Sequence, residues 1–228
     1  MIKRLCLVIV SCAVFFSFSW SPAHATGGDA FTSLFGYQAM EQNGLTHLPQ
    51  WLSVLERHVL EDLPEGDCSE GFLTKCHLQK WFAFLESIRG LPREEQIFQV
   101  NRYVNKKEYV IDLNNYGKED YWAIAKEFLY NGGDCEDYAI TKFFSLKWLG
   151  YPPEELRIVI LQDTNLRTPH AVLAVATSRD TLILDNQSGE TLPHRRIVHY
   201  IPLFSLNETA WWLHLPPGMS LRNGGKTL

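Results

Sequence analysis

The chain has 228 residues, 46% of them hydrophobic, and a formal net charge of −5 at pH 7. That apolar content supplies a real core for one globular domain. With 26 acidic against 21 basic residues, it lacks the positive footprint of a nucleic-acid binder.

The first stretch reads as a secretory signal peptide covering residues 1–25. Met1-Ile2-Lys3-Arg4 is a short positive start, residues 5–20 are mostly apolar, and Ala23-His24-Ala25 is a small-x-small cleavage site. A transmembrane anchor needs ~20 apolar residues, and this run is shorter and broken by Ser11, Ser17 and Ser19. Ile9-Val10-Ser11-Cys12 imitates a lipoprotein cleavage box, but the apolar stretch before it is short for that role. No later stretch is long and apolar enough to cross a bilayer. The expectation is a single exported domain over residues 26–228 that does not span the membrane.

Export changes the cysteine count. Cys6 and Cys12 leave with the signal peptide, and Cys68, Cys76 and Cys135 remain. Cys68 and Cys76, close neighbours in a loop holding Gly66 and Gly71, are able to pair in an oxidising compartment. Cys135 is then the odd thiol.

After a glycine-containing leading segment at 26–36, apolar side chains at helical spacing predict a helix over 47–62, with Leu48, Trp51, Leu52, Leu55 and Val59 on one face. A second is expected over 76–89 through Leu78, Trp81, Phe82, Leu85 and Ile88. A third covers 93–105 through Ile97, Val100 and Val104, and a short one 122–130. Between them Asp112-x-Asn114, with Gly117 in the sixth place, imitates an EF-hand loop. It fails the test because Tyr116 and Ala123 stand where oxygen ligands are required.

Asn131-Gly132-Gly133-Asp134-Cys135-Glu136-Asp137 then puts one thiol behind a glycine pair and in front of a patterned apolar run. Asp134 is a preferred N-cap residue. Ala139, Phe143 and Leu146, with Ile140, Phe144 and Trp148, continue the helical period until Gly150 and Pro152-Pro153 stop it. Cys135 therefore sits at a helix N-terminus, where unpaired N–H groups and the helix dipole favour a thiolate. A small buried cysteine at a capped helix start has the same local pattern.

Past Gly150 the period changes from 3.6 to 2, predicting strands over 157–161, 170–176, 181–184 and 197–203, and a loose tail from Pro216. Helices first and strands later predict an α+β fold, with an N-terminal helical part packed on an antiparallel sheet.

A nucleophilic thiol needs a base and a group that orients the base. His170 begins one predicted strand and Asp185 ends the next, so a hairpin between them would bring both to one edge of the sheet. A solvent-facing histidine and an Asp-Asn turn are the plainer readings of the same two residues. Asp134, Glu136 and Asp137 crowd negative charge around Cys135, which disfavours a thiolate. A hard cation such as Ca²⁺ held by these carboxylates would compensate, although acids in a first helical turn are also common. His-Glu-x-x-His, Gly-x-Ser-x-Gly, a phosphate-binding glycine loop and Cys-x-x-Cys are absent. His194 and His199 flank Arg195-Arg196 on a strand edge and read as surface.

Gly132-Gly133-Asp134-Cys135-Glu136-Asp137-Tyr138-Ala139, with Lys142, Leu149-Gly150, Arg157-Ile158-Val159, His170-Ala171-Val172-Leu173-Ala174-Val175 and Leu184-Asp185-Asn186, resembles the bacterial transglutaminase-like cysteine proteinases. The resemblance implies a papain-like or transglutaminase-like fold, with Cys135 as nucleophile, His170 as general base and Asp185 as orienting group. It also implies Ca²⁺ bound through Asp134 and Glu136, to which Asp137 is added. Its further implications are a periplasmic location, cleavage of the N-terminal region of a large surface adhesin to release biofilm cells, and sequestration by the periplasmic domain of an inner-membrane cyclic di-GMP receptor. Val172 stands where relatives carry methionine or a similar apolar residue, a departure with no catalytic consequence. Two alternatives stay open: an acyl transferase using the same three residues, and a non-catalytic periplasmic binding module in which Cys135 is structural.

Overall fold

The computed structural model describes residues 31–60 and 76–219, and among these six α-helices precede Gly150. They are α1 (Pro49–Leu60), α2 (His77–Ile88), α3 (Arg93–Val104), α4 (Asp112–Tyr116), α5 (Ala125–Asn131) and α6 (Cys135–Trp148). The expected signal peptide, Cys68 and the end of the tail lie outside the described residues. Cys76 is disulfide-bonded, and Cys135 is a free thiol.

The helical period locates the helices but overstates their buried faces. Trp51 and Val54 of α1, Trp81, Leu85 and Ile88 of α2, and Ile97, Val100 and Val104 of α3 are buried. Leu52, Phe82 and Val59, expected inward, are instead exposed, Val59 at 75%. The contact strip is narrow: Trp51 meets α6 edge-on at Phe143, with ring centroids 5.6 Å apart, and residues a quarter-turn away look outward.

The strands are β1 (Ser33–Leu34), β2 (Tyr37–Gln42), β3 (Leu156–Asp163), β4 (Thr168–Ala176), β5 (Thr181–Leu184), β6 (Leu192–Pro193), β7 (Tyr200–Leu206) and β8 (Trp211–Leu215). They form one sheet in the order β1-β2-β8-β7-β3-β4-β5-β6, and every pairing is antiparallel. Three expectations are corrected. The leading segment supplies a hairpin, the strand expected over 197–203 begins only at Tyr200 after a 3-10 turn at His194–Arg196, and β8 precedes the tail. His194 is half-buried rather than surface: its Nδ1 accepts the Phe35 N–H at 3.0 Å, pinning the first hairpin to the far edge of the fold.

Both faces of the central strands are covered. Ile158, Leu173, Val175, Leu184 and Leu206 face the helices, whereas Val159, Leu161, Val172, Ala174 and Ile183 meet Phe31, Leu34, Ile197 and Tyr200 on the other side. From His170 to its end, β4 is consequently buried at every position. Helix α6 is buried from Glu136 to Leu146. Such a helix is enclosed nearly all round, and the polar groups it carries inward need a separate account.

Candidate active site

Two glycines make the turn that delivers Cys135. Gly132, just after α5, has φ +76°, and a Cβ there would lie 2.5 Å from the Glu108 carbonyl oxygen. A Cβ on Gly133 would lie 2.1 Å from Oδ2 of Asp137. The close approach is used: Val110 N–H donates to the Gly133 carbonyl at 2.9 Å, and Tyr109 forms a parallel bridge with Gly133. Asp137 accepts from the Asp134 N–H at 3.2 Å and the Ala123 N–H at 2.7 Å, tying the start of α6 to the approach to α5. Gly133→Ala must displace that carboxylate, so it is expected to cost about 1–3 kcal/mol, seen as a lower melting temperature in calorimetry.

The expected hairpin exists. β4 and β5 pair with Leu173 opposite Leu184, a register that carries His170 and Asp185 to the same end of the sheet. His170 Nε2 lies 3.0 Å from Asp185 Oδ1, both residues being buried. Asp185 has further partners that the sequence did not reveal. The Tyr200 hydroxyl donates to Oδ2 at 2.5 Å, the Gln187 N–H donates to Oδ1 at 2.9 Å, and the side chain of Asn105, just past α3, donates to the Asp185 carbonyl at 2.7 Å. Burial by itself would raise the Asp185 carboxyl; its bonds to His170, Tyr200 and Gln187 outweigh this and hold it below its ordinary value. Because Asp185 occupies Nε2, Nδ1 is the ring nitrogen left for another partner.

Cys135 lies against the backbone N–H of Ala171, the residue after His170, while its thiol donates to Glu136 Oε2 at 3.2 Å. The helix N-terminus does not decide its ionisation. Burial first, then the charges of Glu136 and Asp134, push the thiol well up, with the Ala171 N–H opposing. Half-exposed Tyr109 stands beside this group: burial and the charges of Cys135, Asp134 and Glu136 push its phenol up to about 12.

The acids at the thiol are joined by two from elsewhere. Ligand oxygens of Asp112, Asp120 and Glu136 lie within 4.8 Å of one another, as do those of Asp112, Asp134 and Asp137. Asp112 begins α4, inside the segment that fails as an EF-hand loop. Its Oδ2 accepts from Tyr121 N–H at 2.5 Å, but its buried Oδ1, like Oδ1 of Asp134, has no hydrogen-bond partner among the described residues. Burial raises Asp112 to about 6, and burial with neighbouring acids raises Glu136; burial also raises Asp137 well above its usual range. Converging carboxylates with unpartnered buried oxygens suit an oxygen-preferring divalent cation.

The family model described as "Bacterial transglutaminase-like cysteine proteinase BTLCP" matches residues 86–218. No curated protein compared with the chain matches it. Among solved structures, Legionella pneumophila LapG is similar at 31% identity and a TM-score of 0.55, over 60% of this chain and 77% of that one. A calcium-bound form of LapG gives the same values, and an EGTA-treated form differs only in covering 75% of its own chain. No helix among the described residues is long and apolar enough to cross a membrane. The family match spans the thiol block, the His170–Asp185 hairpin and Tyr200 in one run, and the chain belongs to the bacterial transglutaminase-like cysteine proteinases.

Proposed function

We propose that this cysteine proteinase is a periplasmic, calcium-dependent endopeptidase in which Cys135, His170 and Asp185 form the catalytic triad. The observation that carries the reading is the buried His170–Asp185 bond at 3.0 Å, beside a free thiol lying against the next residue's N–H. His170 Nδ1 takes the thiol proton while Asp185, braced by Tyr200 and Gln187, holds the ring and balances the imidazolium. The thiolate attacks the scissile carbonyl, and backbone N–H donors at the start of α6 stabilise the oxyanion. His170 then protonates the leaving amine, and water, deprotonated by the same ring, hydrolyses the thioester.

Asp134, Glu136 and Asp137, together with Asp112 and Asp120, are the residues that would hold Ca²⁺. The bound ion supplies positive charge that offsets the carboxylates disfavouring the thiolate. Calcium-bound and EGTA-treated forms of the LapG relative are consistent with such a site. The substrate class, the N-terminal region of a large surface adhesin, and the regulator, the periplasmic domain of a cyclic di-GMP receptor, follow from the family resemblance. The test is incubation of the 26–228 protein with purified N-terminal adhesin segments, in calcium and in EGTA. One discrete cut, made only in calcium, is expected. Undiminished cutting in EGTA removes the calcium dependence; no cutting of any adhesin segment removes the substrate class.

A further inference from the structure

Two asparagines of the third helix have no part in the mechanism above. Asn101 is 0% exposed, and Asn105 stands just past the end of α3, four residues on and still in helical backbone, so the two share one stripe. Asn105 Nδ2 uses both of its hydrogens, donating to the Asp185 carbonyl at 2.7 Å and to the Ser188 carbonyl at 2.9 Å. Asn101 Nδ2 donates to the Ser188 carbonyl as well, at 3.0 Å. One amide thus bridges both ends of the turn that follows β5, and a second supports its far end.

These amides are present for their donors. Their Oδ1 atoms are buried without a hydrogen-bond partner among the described residues. A leucine of similar volume would avoid that cost and continue the buried run of Ile97, Val100 and Val104. Helix α3 also packs on α6, whose first residue is Cys135. The helix that holds the turn is therefore seated on the helix that carries the thiol.

The turn needs an outside hold because β5 stops short of Asp185. Leu184, opposite Leu173, is the last paired residue, and the main chain leaves the ladder with β4 at Asp185. The aim of the carboxylate follows that main chain: Oδ1, which faces His170 Nε2 at 3.0 Å, also accepts the Gln187 N–H from inside the turn. A shift of the turn draws Oδ1 off the imidazole. Tyr200 fixes the other oxygen, Oδ2, from β7 and leaves the main chain free.

We infer that Asn105 is a positioning residue, a role that rests on the triad reading above: by bridging the Asp185 and Ser188 carbonyls it holds the turn where the Asp185 carboxylate meets His170. It touches no reacting atom and acts through Asp185. Asn101, bonded to Ser188, supports the turn without fixing Asp185.

The test is the pH profile of iodoacetamide alkylation of the free thiol at saturating calcium, in the wild-type protein and in Asn105→Leu, Asn101→Leu and His170→Ala, with melting temperature in parallel. Asn105→Leu is expected to move the rise of alkylation up by about one pH unit, a slowing of about tenfold on the acid side of the profile. Asn101→Leu, which loses a bond to the same turn but none to Asp185, stays within about twofold of wild type, a shift of about a third of a unit. Lower melting temperatures with the Asn105→Leu profile in place, while His170→Ala is slow, mark a packing role; that overturns the inference and leaves the triad standing. Equal shifts in the Asn101 and Asn105 variants make the turn as a whole the positioning element and overturn it as well. Where Asn105→Leu does not fold, Asn105→Ala, which loses the same two bonds, is measured in its place; if neither folds while Asn101→Leu does, Asn105 is structural and the inference falls. Wild-type alkylation in His170→Ala removes the triad reading instead.

Discussion

Cys135→Ala abolishes peptide hydrolysis, a loss of at least about 10⁴-fold, without lowering the melting temperature. In the proposed mechanism the thiol is the nucleophile, and methyl cannot replace it. Stability is spared because the thiol's hydrogen bond goes to Glu136, whose carboxyl is already held up by burial and by Asp134 and Asp137. Asp185→Asn should approach the same loss by a different route. The amide no longer balances an imidazolium, and it presents Tyr200 and the Gln187 N–H with an altered acceptor. Because those bonds are buried, Asp185→Asn also lowers the melting temperature, whereas Cys135→Ala does not. Assay of both variants on one substrate, with calorimetry, separates the roles; residual cutting by Cys135→Ala would remove the thiol from the mechanism.

With the proposed site, calcium is expected to raise the melting temperature by about 5–10 °C at a concentration a hundredfold above its dissociation constant. Mass action at that ratio contributes about 2.7 kcal/mol, and a domain of this size shifts by about 2–4 °C per kcal/mol. In chelator the dependence on pH has a definite sign. The folded-state carboxyl of Asp112 sits at about 6, above its ordinary 3.8, because burial disfavours its charge. Between those values the folded state binds more protons than the unfolded one, so stability falls as pH rises from about 4 through about 6 and stays low above. Raised Glu136 and Asp137 carry the decline further toward neutrality. Calcium is expected to reverse it, since a bound cation favours the ionised carboxylates. Asp112→Asn is expected to raise stability in chelator at neutral pH and to remove more than half of the calcium-dependent rise. Melting curves at a series of pH values, with calcium and with EGTA, check both; a calcium shift unchanged by Asp112→Asn would take Asp112 out of the site.

The thiol mount was legible because it is local. Helix α6 is marked by two glycines, an acidic cap and an apolar run, all within a few residues of Cys135. The His170–Asp185 pair was legible for a related reason: β4 and β5 are neighbours joined by a tight turn, so alternation and a hairpin suffice to bring their ends together. Tyr200 was not, since it reaches Asp185 from β7, two strands away from β4 across β3, and a tyrosine at the start of a strand carries no sign of that contact. Asp112 was weighed as part of an EF-hand loop and set aside with it. The motif test was sound, but coordination by oxygens from separate segments has no spacing to detect.

The same division holds for the fold. Sequence by itself located α1, α2, α3, α5 and α6 but not the short α4, and it determined the change of period after Gly150 and the α+β class, because each is a repeat of side-chain character along a continuous stretch. Tertiary structure alone decided that β2 and β8, from opposite ends of the chain, close one side of the sheet, and which residues of each helical face meet a neighbour. It also decided the chemistry of the opening motif. A helix N-terminus favours a thiolate in isolation, but the burial of Cys135 and the convergence of five carboxylates on its surroundings reverse that preference. Desolvation and charge act through space, and only the folded chain sets those distances.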